Sequence, residues 1–190
     1  LCPASAFLNN RPTSFIYSRM KLLTFASTLL VAALSLSAAE TVRLSKVHLC
    51  CNACVRGVEK AVAGISGVTA VVDKEGGVVA LNGEDAATVQ KGIDALVNAG
   101  YFGVSDHASL KPKASTGAPA GKVQKLTIEG VHLCCGSCVK AVNGALTKVK
   151  GVKAHTAEKN AKSFEVTGDF VAADVLAALH KAGLAGRVAK

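Results

Sequence analysis

The sequence predicts an α+β chain of two consecutive modules, each with the element order βαββαβ, and three observations carry that prediction. The heptapeptide His-Leu-Cys-Cys-Asn-Ala-Cys at residues 48–54 returns as His-Leu-Cys-Cys-Gly-Ser-Cys at residues 132–138, 84 positions on. Apolar residues around it return at the same offset: Val47 with Val131, Val55 with Val139, Val58 with Val142, Ala61 with Ala145, and Gly67-Val68 with Gly151-Val152. Each copy also closes a β-like run and opens an amphipathic helix. Matching apolar positions around matching cysteines mean a duplicated folding unit.

In the first module, TVRLSKV (41–47) alternates Val42 and Leu44 as a strand does. The helix after the motif places Val55, Val58, Val62 and Ile65 on one stripe and Arg56, Glu59 and Lys60 elsewhere, and Gly64 and Gly67 end it. VTAVVD and VVALNG are two β-rich runs joined by Lys74-Glu75-Gly76-Gly77, a hairpin connection. A second helix from about Glu84 to Ala99 turns Val89, Ile93, Leu96 and Val97 inward, and YFGVSDH supplies the last strand. The second module repeats this order. Leu126 and Ile128 mark its first strand, and Val139, Val142, Leu146 and Val149 repeat the helical spacing. VKAHTAEK and SFEVTG make the hairpin, residues 171–182 the second helix with Val175, Leu176 and Leu179 on its core face, and LAGRVA the closing strand. Two βαβ halves of this kind build an antiparallel four-stranded sheet with both helices on one face, the ferredoxin-like sandwich. At about 70 residues, each unit has a modest stability margin.

A leader precedes the modules. Met20, the only methionine, and Lys21 stand before an apolar stretch that runs to Ala39 and exits through the small residues Ser37 and Ala39. That is the layout of a secretory signal peptide cleaved before Glu40. The competing reading is an uncleaved anchor, since about 18 apolar residues just span a bilayer; the Ser/Ala-rich exit and the polar sequence after it favour cleavage. Residues 1–19, with Cys2, read as translated upstream sequence. Between the modules, SLKPKASTGAPAG interrupts the apolar periodicity and reads as a flexible linker. The expected division is therefore 1–19 leader, 20–39 signal peptide, 40–108 first module, 109–121 linker and 122–190 second module, each module folding and binding by itself. The expected location is periplasmic or secreted, with no stable membrane insertion after cleavage.

Removing Arg11, Arg19 and Lys21 with the leader takes the formal charge from +9 to +6, spread through both modules and the linker. Such a surplus suits acidic partners or anionic surfaces, and solvation of small domains is the favoured reading. No basic patch interleaved with aromatics is present, so a nucleic-acid partner is not expected.

Six of the seven cysteines lie in the two heptapeptides. A Cys-x-x-Cys pair at a strand–helix junction places two sulfurs on one turn, and the helix N-terminus favours thiolate over thiol. Thiolates are soft ligands that select Cu(I), Zn and similar ions over Mg or Ca. The same pair is also a redox motif in an oxidising compartment, so a thiol–disulfide oxidoreductase using the Cys-Cys-x-x-Cys motifs is the alternative class. Thioredoxin-type enzymes face their cysteines with a cis-proline, whereas Pro3, Pro12, Pro112 and Pro119 all lie outside both modules. Purely structural disulfides would leave one cysteine per module unpaired or join the modules. With no phosphate loop, no Gly-x-Ser-x-Gly elbow and no repeated carboxylate pair, the chain is not expected to be an enzyme.

With these motifs the chain resembles the heavy-metal-associated domain family, which includes copper chaperones and periplasmic mercury-binding proteins. The resemblance covers both modules and implies the βαββαβ fold and a loop of pattern Gly-Met-x-Cys-x-x-Cys. It places the metal-binding cysteines at Cys51 and Cys54 and at Cys135 and Cys138. The buried methionine of the family becomes Leu49 and Leu133, a tolerable core exchange. Its glycine becomes His48 and His132, and the residue before each pair becomes Cys50 and Cys134. Ala99-Gly100-Tyr101 matches the Ala-Gly-Tyr that ends the second helix in bacterial members, and Ala182-Gly183-Leu184 departs from it.

The departures bear on the metal. Two thiolates suit linear Cu(I) or Hg(II), whereas three cysteines and a histidine per loop give a Cys₃His zinc set. The obstacle is geometric, because adjacent Cys50 and Cys51 would have to turn toward one ion. Cys50 and Cys134 are accordingly candidate third ligands or nearby redox-active thiols, and His48 and His132 are further candidate ligands. His107, His155 and His180 have no counterpart in the other copy and are left out of the site. Tyr101, Lys46 and Lys140 are candidates to tune the site's charge or docking, with surface solvation the favoured role of the two lysines. The expected cargo is one thiophilic ion per module, Cu(I) or Zn(II), buffered or passed to a metal-transporting or metal-accepting protein.

Overall fold

The computed structural model describes residues 39–113 and 117–189. The leader, including nearly all of the expected signal peptide, lies outside them. In chain order the elements are β1 (Glu40–Ser45), α1 (Asn52–Ala63), β2 (Val68–Asp73), β3 (Val78–Gly83), α2 (Ala86–Asn98) and β4 (Val104–Ser105) in the first module. In the second they are β5 (Lys122–Glu129), α3 (Gly136–Leu146), β6 (Val152–His155), β7 (Ser163–Val171), α4 (Ala172–Lys181) and β8 (Arg187–Val188). The strands form two four-stranded sheets of order β2-β3-β1-β4 and β6-β7-β5-β8, every pairing antiparallel. This is the βαββαβ sandwich, twice. Among the described residues no helix is long and apolar enough to cross a membrane.

Alternation decides which face of each sheet is buried. Val42 and Leu44 of β1 and Val79 and Leu81 of β3 are buried, while Thr41 and Arg43 between them are exposed, so one face meets α1 and α2. Val89, Ile93 and Leu96 line the inner side of α2. That helix starts at Asp85, whose carboxylate accepts a hydrogen bond from the Thr88 N–H at 2.6 Å, satisfying one of the open donors of its first turn. On α1 the buried stripe is Cys54, Val58 and Val62, spaced by four, and Val55 is only half-buried. The buried stripe thus begins at Cys54, one residue before the expected Val55. A small sulfhydryl behaves as an apolar core residue as well.

The second module is built alike, with Ile128, Val142, Phe164, Val166, Phe170, Val175 and Leu179 at its centre. Its hairpin differs. β7 runs on to Val171, beyond the expected SFEVTG, and leads straight into α4. The register shifts between Val152 and Ala154 and between Val123 and Lys125 accommodate the extra length, as a bulge does.

The described residues all fall within one compact unit. The joint between the modules is made by the residues that follow α2 and α4. Tyr101 and Leu184 form an antiparallel bridge. The N–H groups of His48 and Phe102 donate to the Gly183 carbonyl at 3.2 and 3.1 Å, and that of Ala185 donates to the Gly100 carbonyl at 2.9 Å. Both glycines have positive φ, 92° and 78°, and side-chain-free Cα atoms set against the other module's backbone. A Cβ on Gly100 would lie 2.6 Å from the Gly130 carbonyl oxygen and overlap the His132 nitrogen, and one on Gly183 would overlap the Lys46 oxygen and the His48 nitrogen. Each Ala-Gly corner thus packs against the strand end that leads into the other module's cysteine loop.

Candidate metal centre

Each loop turns from a strand into a helix at its second cysteine. Cys51 precedes α1 and Cys135 precedes α3, both with extended backbone and no side-chain cap hydrogen bond. The third cysteine of each motif, Cys54 or Cys138, sits in the first helical turn, fully buried. Leu49 and Leu133, just before the cysteines, are buried at the positions where the family resemblance puts a core side chain.

The two loops face each other, and all six thiols meet in one cluster. Within each module the Cys-x-x-Cys sulfurs are 3.9 Å apart (Cys51 and Cys54) and 3.8 Å apart (Cys135 and Cys138). Cys50 is 3.6 Å from Cys54, and Cys134 is 3.7 Å from Cys138. Across the joint, Cys50 lies 3.3 Å from Cys135 and 3.6 Å from Cys138. In the mirror relation Cys134 lies 3.7 Å from Cys51 and 3.5 Å from Cys54. None of the six is in a disulfide.

The electrostatics divide the thiols into two kinds. The backbone N–H of Cys54, then that of Ala53, holds the Cys51 thiol below its ordinary pKa. The backbone N–H of Cys138, followed by the Cys50 thiol, brings Cys135 down to about 6. These are the donors of a helix N-terminus, which stabilise a negative charge placed over them. Burial pushes Cys50 and Cys134 the other way, aided by hydrogen bonding to the opposite module's sulfurs. Burial also raises Cys138. Without a metal the cluster is therefore a set of S–H···S contacts in which Cys50 and Cys134 keep protons and the sulfurs beside the helix N-termini accept.

The histidines part company. A ring nitrogen of His48 lies within 4.8 Å of the Cys50 and Cys138 sulfurs, whereas His132 belongs to no such group. His132 instead stacks on Tyr101, ring centres 4.6 Å apart. Both have a buried Nε2 with no hydrogen-bond partner, and burial keeps both in the neutral form at lower pH than usual. Of the histidines set aside from the sequence, His107 lies 3.6 Å from Glu40, His155 pairs with Asn143 at 3.2 Å and His180 stacks on Phe102 at 4.0 Å. None of these joins a metal-competent group among the described residues. Lys46 and Lys140 are exposed.

Tyr101 has a structural part that the sequence did not reveal. It is buried, and its hydroxyl donates to the Cys54 carbonyl at 3.0 Å, inside the loop-bearing helix turn. Gly57 makes room for it: a Cβ there would overlap the Tyr101 hydroxyl. The second module has Ala141 and Leu184 at the equivalent places, a larger residue on the helix and a shorter one at the corner. The signal was present in the paired exchange of glycine and tyrosine for alanine and leucine.

The donor set fits a thiophilic ion. With metal–sulfur bonds of about 2.3 Å, sulfurs stand about 3.8 Å apart around a tetrahedral ion and about 4.0 Å apart around a trigonal one. The sulfur separations of 3.3 to 3.9 Å are close to that spacing before any ion is bound.

Residues 125–184 match the family model of the heavy-metal-associated domain. No curated protein matches the chain. Among solved structures, the N-terminal soluble domains of Bacillus subtilis CopA align at 20% identity, covering 81% of this chain and 96% of that one, with a TM-score of 0.30. The first two RRM domains of the yeast poly(U)-binding protein Pub1 align at 8% identity over 79% of this chain and 98% of that one, with a TM-score of 0.22.

Proposed function

Because residues 125–184 belong to the heavy-metal-associated domain family, and the first module repeats their fold and their cysteine motif, we propose that the chain is a tandem binder of soft transition-metal ions. The ions are held by Cys51 and Cys54 and by Cys135 and Cys138, and the cargo is Cu(I), with Zn(II) and Hg(II) as ions of related ligand preference. The observation that carries this reading is the six-thiol cluster at metal–ligand spacing.

The protein buffers its ion or passes it to a metal-transporting or metal-accepting protein by ligand exchange. An incoming thiolate joins the ion before an original ligand leaves, so the ion is never free. No reaction on a substrate is part of this function. Export belongs to the same reading and rests on the Met20-to-Ala39 pattern. Amino-terminal sequencing of the exported protein should begin at Glu40 or within a few residues, and an intact membrane-embedded leader refutes that part.

The binding test is an anaerobic Cu(I) titration against a coloured competing chelator. The reduced chain should take up Cu(I) into thiolate sites, and replacing Cys51, Cys54, Cys135 and Cys138 together with serine should abolish tight uptake. Full uptake by that quadruple variant refutes the assignment.

A further inference from the structure

We propose that the two modules exchange their extra cysteines, so that each ion is held by the Cys-x-x-Cys pair of one module and the additional thiol of the other. One site is Cys51, Cys54 and Cys134, and the other is Cys135, Cys138 and Cys50. The proposal rests on the metal-binding reading above and assigns the ligands of that same centre.

The distances close two triangles, each drawn from both modules. The first has sides of 3.9, 3.5 and 3.7 Å and the second has sides of 3.8, 3.6 and 3.3 Å. Three thiolates at such spacing surround one three-coordinate ion of the size for which sulfur sits at about 2.3 Å. An own-loop set, Cys134 with Cys135 and Cys138, also lies within 4.8 Å, so the individual sulfur contacts must decide between the two arrangements.

The contacts differ: Cys50 meets both sulfurs of the opposite pair, at 3.3 and 3.6 Å, but of its own pair only Cys54, at 3.6 Å, and Cys134 meets Cys51 and Cys54 at 3.7 and 3.5 Å but of its own pair only Cys138, at 3.7 Å. Cys51 has φ −159° and ψ 170°, and Cys135 has φ −153° and ψ 172°, both fully extended. In extended backbone, successive side chains leave on opposite faces. Cys50 therefore leaves the chain on the face opposite to Cys51, and Cys134 on the face opposite to Cys135, and their sulfurs come back only to within 4.8 Å of those neighbours. The joint at Gly100 and Gly183 brings the opposite loop to the place where each extra thiol is aimed. In this assignment no ion is held by two cysteines adjacent in sequence.

The arrangement makes the second module a ligand donor to the first site and the first module a donor to the second. Binding at either site then ties the modules together.

The test uses the full chain, reduced and handled anaerobically, with Cu(I) as the probe. The sulfur count per copper is read by X-ray absorption and the affinity by chelator competition. The loaded wild-type chain should show three sulfurs per copper. In Cys51→Ser/Cys54→Ser/Cys134→Ser, the retained Cys50, Cys135 and Cys138 should hold one Cu(I) with three sulfurs. In Cys50→Ser/Cys51→Ser/Cys54→Ser, the retained Cys134, Cys135 and Cys138 should show two sulfurs and bind about tenfold or more weakly, at least the scale of losing an outer-shell partner. Equal sulfur counts in the two variants, the reverse order, or a folded first variant that binds no Cu(I) overturns the crossed assignment. If circular dichroism shows that either variant does not fold, the same two variants made with alanine in place of serine are read in the same way; two sulfurs per copper in the wild-type chain overturns the crossed assignment while leaving metal binding intact. A wild-type chain that takes up no Cu(I) removes the metal-binding reading itself.

Discussion

Replacing Gly100 with alanine tests the joint on which the thiol cluster depends. The residue has φ 92°, a conformation that costs an L side chain about 1–3 kcal/mol. The new methyl would also meet backbone atoms of the other module, the Gly130 oxygen at 2.6 Å and the His132 nitrogen, and backbone yields less readily than a side-chain tip. If the corner moves away to relieve the overlap, the hydrogen bond from Ala185 to the Gly100 carbonyl is lost as well, worth about 0.5–1.5 kcal/mol net. Together these destabilise the closed arrangement by about 1.5–4.5 kcal/mol, with about 2 kcal/mol as the working figure. For a chain of this size that corresponds to a Tm lower by about 4–8 °C. Scanning calorimetry should show the shift, and Cu(I) competition should show weaker binding although every cysteine is present. A Tm and Cu(I) affinity indistinguishable from wild type would refute the joint.

Two further expectations concern the surroundings of the cluster. Gly57→Ala should destabilise the chain by about 1–3 kcal/mol through crowding of the Tyr101 hydroxyl, and adding Tyr101→Leu should recover part of the loss by copying the Ala141 and Leu184 pairing of the second module; a urea double-mutant cycle without coupling would contradict that contact. In the metal-free protein, iodoacetamide at pH 7 should modify Cys135 before Cys50 or Cys134, because a thiol with a pKa near 6 is largely ionised there while the other two remain protonated. Acidification below about pH 6 should slow the Cys135 reaction as its thiolate is protonated, and peptide mapping that finds Cys50 or Cys134 labelled first would count against the helix-cap assignment.

Much of each module was legible because its signals are local. The alternation of VTAVVD and VVALNG marks β2 and β3 at their observed bounds, and the spacing of Val89, Ile93 and Leu96 marks the inner face of α2. Where a residue serves two purposes, the reading slipped. Cys54 leads the buried stripe of α1 while carrying a sulfur of the cluster. The length of β7 escaped because a bulge opposite Val152 and Ala154 is a property of pairing, invisible in one strand.

The cysteine loops were legible as two sites, and their meeting was not. The polar stretch between the modules argued for separation, whereas the joint is carried by backbone groups at Gly100 and Gly183, which leave little trace in composition. One trace existed, the recurrence of Ala-Gly after both second helices. The opposite-module partners of Cys50 and Cys134 also come from tertiary packing, which the motif does not contain.

Having both facing loops on one polypeptide changes how metal uptake responds to dilution. Two separate modules would have to collide, and their shared centre would fade as protein became scarce. A covalent tether instead keeps the second loop near the first at an effective concentration on the order of millimolar. The centre therefore assembles as a first-order event, at the same metal concentration whether the protein is abundant or rare.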